Sequence, residues 1–244
     1  MSFSTDEFRA LAGAFSGAGY RFGTFTDYEP ERTVILRHDI DFSLDYAAEL
    51  AEVEAELGIR ASYFFMLSTH FYNCLSGAGR AAIERIKALG HVVSLHFDPV
   101  IHPDLDAGFA LERSIFEANF GPIEVVSIHR PGVFLEDSNR DLGGCLHTYQ
   151  DRLFKELRYV SDSAGAFRHG HPLESDAFRD GRSIHLLLHP IWWVNRPAQP
   201  ACDRIVEFLR ERVGFLSSEA AFHCRAYDGR HPFAIPESGA ADAA

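Results

Sequence analysis

No stretch of the 244-residue chain approaches the roughly 18 consecutive apolar residues that a bilayer-spanning helix needs. No C-x-x-C pair occurs. The four cysteines, Cys74, Cys145, Cys202 and Cys224, are scattered, which argues against a zinc knuckle or a disulfide framework and predicts reduced thiols. Positive charge is scarce: 23 Lys and Arg stand against 35 Asp and Glu, a formal net charge of −12. An acidic surface repels phosphate backbones, so nucleic acid is not an expected partner. The opening MSFSTDEFRALAGAF lacks a basic start followed by an apolar stretch, and a cytoplasmic location is expected. What remains is ordinary globular composition, 46% hydrophobic and 24% charged, in a chain long enough to bury a core without staples. Thirteen histidines are more than chance suggests, and their placement matters more than their number.

Residues 5–19 read as an amphipathic helix, capped by Thr5 or Asp6, with Phe8, Leu11 and Phe15 on one face. An alternation follows. Strand-like runs cover 33–36, 61–67, 92–95 and 125–128. Helical periods cover 44–57, 81–89 and 105–120, with Ser43 as a cap and Gly58, Gly90 and Gly121 as stops. Strand starts therefore recur about every 30 residues, the length of one strand plus one crossover helix. Four such units predict a parallel sheet with helices outside. After Arg130 the pattern loosens. Tyr159-Val160 and Ile184–Leu188 read as further strands, and 203–213 as a helix. No linker-like stretch divides the chain. One domain is expected over 1–235, with a frayed tail over 236–244.

In a parallel α/β domain, sites form at the carboxyl ends of strands. The polar residues of this chain collect there. The first strand of the repeat runs TVILRHDID, and Asp39 and Asp41, two apart, project from one face. VVSLH ends at His96; VVSIH ends at His129, followed by Arg130; IHLLLH ends at His189. Taken singly, each has a plain structural explanation: a histidine bonded to a carbonyl, an aspartate capping the next helix, or Asp39 paired with Arg37 or Arg130. The Ser-x-His echo of the two middle strands can be bare alternation. Taken together, buried charges are costly unless paired or metal-bound, so their convergence points to a site. A carboxylate and two imidazoles make a facial set for a divalent metal, most simply Zn²⁺, with positions open to water and substrate. A second carboxylate can take a proton from that water, and a remaining histidine can give one to a leaving group.

The residues also resemble a known family. RHDIDFS at 37–43 with IRASYFFML after the next helix, GHVVSLHFDP at 90–99, HRPG at 129–132, YVSDSAGAFRHG at 159–170 and LLLHPIWW at 186–193 follow one another in a familiar order. They resemble the five motifs of the NodB-type polysaccharide deacetylases, carbohydrate esterase family 4, most of all the divergent His-Asp-Val-Asp branch. The resemblance implies a distorted (β/α) barrel with parallel strands and outer helices. By position it implies Asp39 as catalytic base, Asp41 and His96 as metal ligands, His189 as general acid and Arg130 as the group orienting Asp39.

The pattern departs from the family in several places. Ile40 separates the two carboxylates, Val100 stands where a second motif histidine is usual, and Gly132 replaces an aromatic. His129 is the favoured third ligand because it ends the neighbouring strand on the matching face; His102 is the competitor, and Asp98 is a further ligand or supporting group. Asp162 and Trp192 are expected on the substrate side, Trp192 as a platform for a sugar ring or a core residue, and Asp162 also as a holder of the His189 imidazole. The function implied is metal-dependent hydrolysis of an N-acetyl amide on a sugar. A cytoplasmic location favours a nucleotide sugar, a lipid-linked glycan precursor or a small glycoside as substrate. Two alternatives are a hydrolase of a non-sugar amide or cyclic imide on the same fold, and an inactive glycan-binding relative.

Overall fold

The computed structural model describes residues 3–194 and 199–229. They belong to two compact units, 1–198 and 199–244. The tail expected over 236–244 lies outside the described residues.

The first unit begins with α1 (Thr5–Gly17), capped by Ser4, whose hydroxyl accepts from the Glu7 amide; the expected cap was one or two residues later. Its apolar stripe, Phe8, Leu11, Ala12 and Phe15, is buried. The remaining elements follow in the order β1 (Arg21–Gly23), β2 (Thr33–Ile40), α2 (Leu44–Glu56), β3 (Ser62–Phe65), α3 (Gly77–Ala88), β4 (Val92–Phe97), α4 (Leu105–Phe120) and β5 (Val125–Ile128). After it come α5 (Gly132–Glu136), β6 (Leu146–His147), α6 (Asp151–Phe154), β7 (Arg158–Ser161), α7 (Asp176–Arg179), β8 (Ile184–Leu188) and α8 (Pro190–Trp193). Ser43 caps α2 through the Tyr46 amide, Ser76 caps α3 and Asp104 caps α4. Gly121 closes α4 at φ +104°, a backbone conformation that a side chain would strain.

Every strand pairing is parallel, and the order across the sheet is β6-β5-β4-β3-β2-β8-β7, with β1 beside the start of β2. Read round a circle this is chain order, β2 to β8 and back to β2. The sheet is therefore a distorted (β/α) barrel, with one seam, between β6 and β7, where no ladder is formed among the described residues. This is the expected barrel, and the expected strand starts at 33, 61, 92 and 125 compare with observed starts at 33, 62, 92 and 125.

Register fixes what faces inward. Arg37 pairs with Ser62, Asp39 with Phe64, Phe64 with Ser94 and His96 with Ser127. Paired residues share a face, so these positions form one lining. Its lower half is apolar, built from Phe25, Ile35, Phe64, Val125 and Leu153. Its upper half, at the strand carboxyl ends, is polar. β2 is buried along its whole length, as a strand covered on both faces must be. His38, on the outward face, bonds Glu54 of α2 at 2.6 Å and the Leu188 carbonyl at 3.1 Å.

The second unit contains α9 (Ala201–His223), which extends beyond the 203–213 read from the sequence. Among the described residues, no helix is long and apolar enough to cross a membrane.

Candidate metal and hydrolytic site

Asp41, His96 and His129 stand at the ends of β2, β4 and β5, and one ligand atom from each lies within 4.8 Å of the other two. The atoms form a tight triangle. His96 Nε2 is 3.3 Å from Asp41 Oδ1, His129 Nδ1 is 3.5 Å from the same oxygen, and the two nitrogens are 3.1 Å apart. Ligand atoms about 2.05 Å from a tetrahedral ion are about 3.3 Å from one another. The three edges are therefore the size that one small divalent cation requires. Asp41 Oδ1 is inaccessible to water and accepts no hydrogen bond within the described residues. An unsatisfied carboxylate oxygen at such a vertex is costly without a cation. The donor set, one carboxylate and two imidazoles, suits zinc and neighbouring transition metals.

Asp39 lies on the same inner face as Asp41. Arg37 grips it through both oxygens, Nε to Oδ1 at 2.8 Å and Nη2 to Oδ2 at 2.6 Å. Ser127 Oγ donates to Oδ1 at 2.9 Å. Oδ2 faces the triangle, 3.6 Å from His96 Nε2. Burial pushes the Asp39 pKa up, but the Arg37 charge and the nearby histidines overcome it and hold the carboxyl well below the usual carboxylate range. At Asp41 burial is likewise outweighed, by the close approach of His96 and the charges of His189 and His129, and its pKa is lowered.

His189 closes the site from β8, with Nε2 3.7 Å from Asp41 Oδ2. Its Nδ1 bonds Asp162 Oδ1 at 2.6 Å, and its backbone amide donates to the same carboxylate. Trp193 Nε1 donates to Asp162 Oδ2 at 2.7 Å. Burial pulls the His189 pKa down, but the Asp162 charge and hydrogen bond win and raise it to about 9. His129 moves the other way: burial and the neighbouring His96 lower its pKa.

Several expectations are corrected here. Arg130 does not orient Asp39. It has φ +48°, which turns the chain off the strand, and its guanidinium sits on Asp98, with Nε donating to Oδ1 at 3.2 Å. Arg37 takes the place expected of it. Asp98 also caps the Val100 amide at 3.1 Å and is not among the clustered ligand atoms. His102 bonds Glu112 at 2.9 Å and stacks on Phe97, away from the triangle. Asp162 is fully buried with both oxygens engaged, so it holds His189 and presents nothing to a substrate. Trp192 is 7% exposed: Pro190 starts a helical turn right after His189 and carries both tryptophans into the core, so Trp192 offers no ring face to a sugar.

The cleft over the site is narrow and lined by Asp39, Asp41, Phe42, His189 and Ile191. Phe42 is half-buried and lines the cleft, and its ring packs on Phe71 with centroids 5.1 Å apart. A larger cavity of about 480 Å³, lined among others by Arg158, His171 and Asp176, carries none of these groups.

Sequence reading missed Ser127 and Phe42. For Ser127 the signal was present, in the Ser-x-His echo of β4 and β5.

No family model and no curated protein matches the chain. Among solved structures it is similar to a chitin deacetylase from the fungal pathogen Colletotrichum lindemuthianum, with 16% identity, 73% of this chain and 81% of that one covered, and a TM-score of 0.43. It is similar to the Bc1960 peptidoglycan N-acetylglucosamine deacetylase, with 14% identity, 82% and 89% coverage and a TM-score of 0.42. It is also similar to a carbohydrate esterase family 4 pseudoenzyme from Bacillus anthracis, with 12% identity, 76% and 62% coverage and a TM-score of 0.40. Likeness of this size carries no functional weight, and what the site can do rests on its own side chains.

Proposed function

We propose that this chain is a divalent-metal-dependent hydrolase that removes an acetyl group from an N-acetylated sugar. The observation that carries the reading is the Asp41–His96–His129 triangle, flanked by a buried carboxylate on one side and a carboxylate-held histidine on the other. Asp41, His96 and His129 would hold the cation. When bound, such a cation would supply acidification of water and polarisation of an acyl carbonyl.

The chain's own residues supply the rest. Asp39 stays ionised and fixed, with Oδ2 toward the site, placed to take the proton of a water attacking the acyl carbon. His189 carries a proton at neutral pH, and Asp162 occupies its Nδ1, so Nε2 is the donor aimed into the site. That proton goes to the departing amine. One water is consumed, the carbon–nitrogen bond breaks, and acetate and a free amine leave. Phe42, packed on Phe71, offers an apolar wall to a sugar ring or acyl group. A nucleotide sugar, a lipid-linked glycan precursor or another small glycoside processed in the cytoplasm is the substrate class we favour.

Release of free amine from N-acetylated sugars, with zinc content measured in parallel, tests the reading. Asp39→Asn and His189→Ala should each abolish amine release and keep zinc, whereas Asp41→Ala should lose zinc. Full activity in Asp39→Asn would overturn the assignment.

A further inference from the structure

Ser127 touches Arg37, Asp39 and His96 at once. Arg37 Nη2 lies 2.7 Å from its hydroxyl oxygen, Asp39 Oδ1 2.9 Å and His96 Nδ1 2.9 Å. A hydroxyl has one proton to give and two lone pairs. Guanidinium only donates, so Arg37 uses one lone pair. Ionised Asp39 only accepts, so the hydroxyl proton goes there. One lone pair is left for His96, and Nδ1 must then carry a hydrogen. Were that hydrogen on Nε2 instead, Ser127 would face two acceptors with one proton, and a buried acceptor would go without a partner.

We infer that Ser127 is a positioning residue that fixes His96 in its Nδ1–H tautomer, leaving the Nε2 lone pair to face Asp41 and His129 as a metal ligand. The inference builds on the metal reading above. It extends the rule that a ligating histidine has its second nitrogen held by another group. It also links the base to the ligand, because the same hydroxyl that donates to Asp39 accepts from His96. The Ser-x-His echo of the sequence thus divides into two roles. Ser127 serves the site, while Ser94, one strand over, gives its proton to the Val125 backbone carbonyl and touches none of the site groups.

The test is long-range ¹H–¹⁵N spectroscopy of ¹⁵N-histidine-labelled, metal-free protein, with the His96 signals assigned by their loss in His96→Gln. Zinc affinity is measured alongside by chelator competition. The wild type should show His96 with hydrogen on Nδ1. Ser127→Ala should shift it to Nε2–H or a mixture and weaken zinc binding roughly 10- to 100-fold. Ser127→Thr, which keeps the hydroxyl, should restore both, and Ser94→Ala should change neither. Nε2–H in the wild type, or a Ser127→Ala protein with unchanged tautomer and affinity, would overturn the inference. A wild type that shows Nδ1–H but binds no zinc would support the tautomer and remove the metal reading instead. If Ser127→Ala fails to fold, the wild-type spectrum and Ser127→Thr still decide the tautomer.

Discussion

Arg37 holds Asp39 by both carboxylate oxygens from two residues earlier on the same strand, at 2.8 and 2.6 Å, with both side chains buried. Stripping one partner from a buried pair strands the other charge, at a cost of about 3–5 kcal/mol. Arg37→Met should therefore lower unfolding free energy by that order. Arg130→Met should cost roughly 1 kcal/mol, because half of Arg130 is exposed and water replaces its guanidinium on Asp98. Urea denaturation of the two variants checks the order, and an Arg130 effect larger than the Arg37 effect would contradict it.

Asp162 sets the protonation of His189. The folded pKa of about 9 lies above the unfolded value near 6.5, so this pair contributes stability fully below about pH 6.5 and loses it as pH rises through about 9. Asp162→Asn removes the charge that outweighs burial. In metal-free protein the His189 titration midpoint should then fall to or below its ordinary value, measured by NMR, and the alkaline loss of stability should disappear. An unmoved midpoint would show that Asp162 is not the cause.

Much of the barrel could be read from the chain because its causes are local. Ser43 caps α2, and Gly58, Gly90 and Gly121 end helices where the apolar period stops. The short strand β1 and the pieces between Arg130 and β7 escaped, since a few residues carry too little period to recognise. Within the site, strand alternation was enough to bring Asp39, Asp41, His96, His129 and His189 to one end. It could not choose between Arg37 and Arg130 for Asp39, because the choice turns on the left-handed backbone at Arg130. Nor could it tell that the turn after His189 would bury Trp192.

His129 and His102 are separable by zinc binding. His129→Ala removes one vertex of the triangle and should weaken zinc by more than the roughly 10- to 100-fold typical of a supporting residue. His102→Ala should leave zinc affinity unchanged. It should instead cost about 1–3 kcal/mol of stability, because it takes a partner from buried Glu112. Chelator competition and thermal unfolding on the same samples give both readouts, and lost zinc binding in His102→Ala would exchange the two roles.

The most direct measurement is an anomalous difference map at the zinc edge, from crystals of the wild-type chain grown with zinc. The account predicts one strong peak about 2.0–2.2 Å from Asp41 Oδ1, His96 Nε2 and His129 Nδ1. A map with no peak there, or with zinc bound only elsewhere on the molecule, would contradict it.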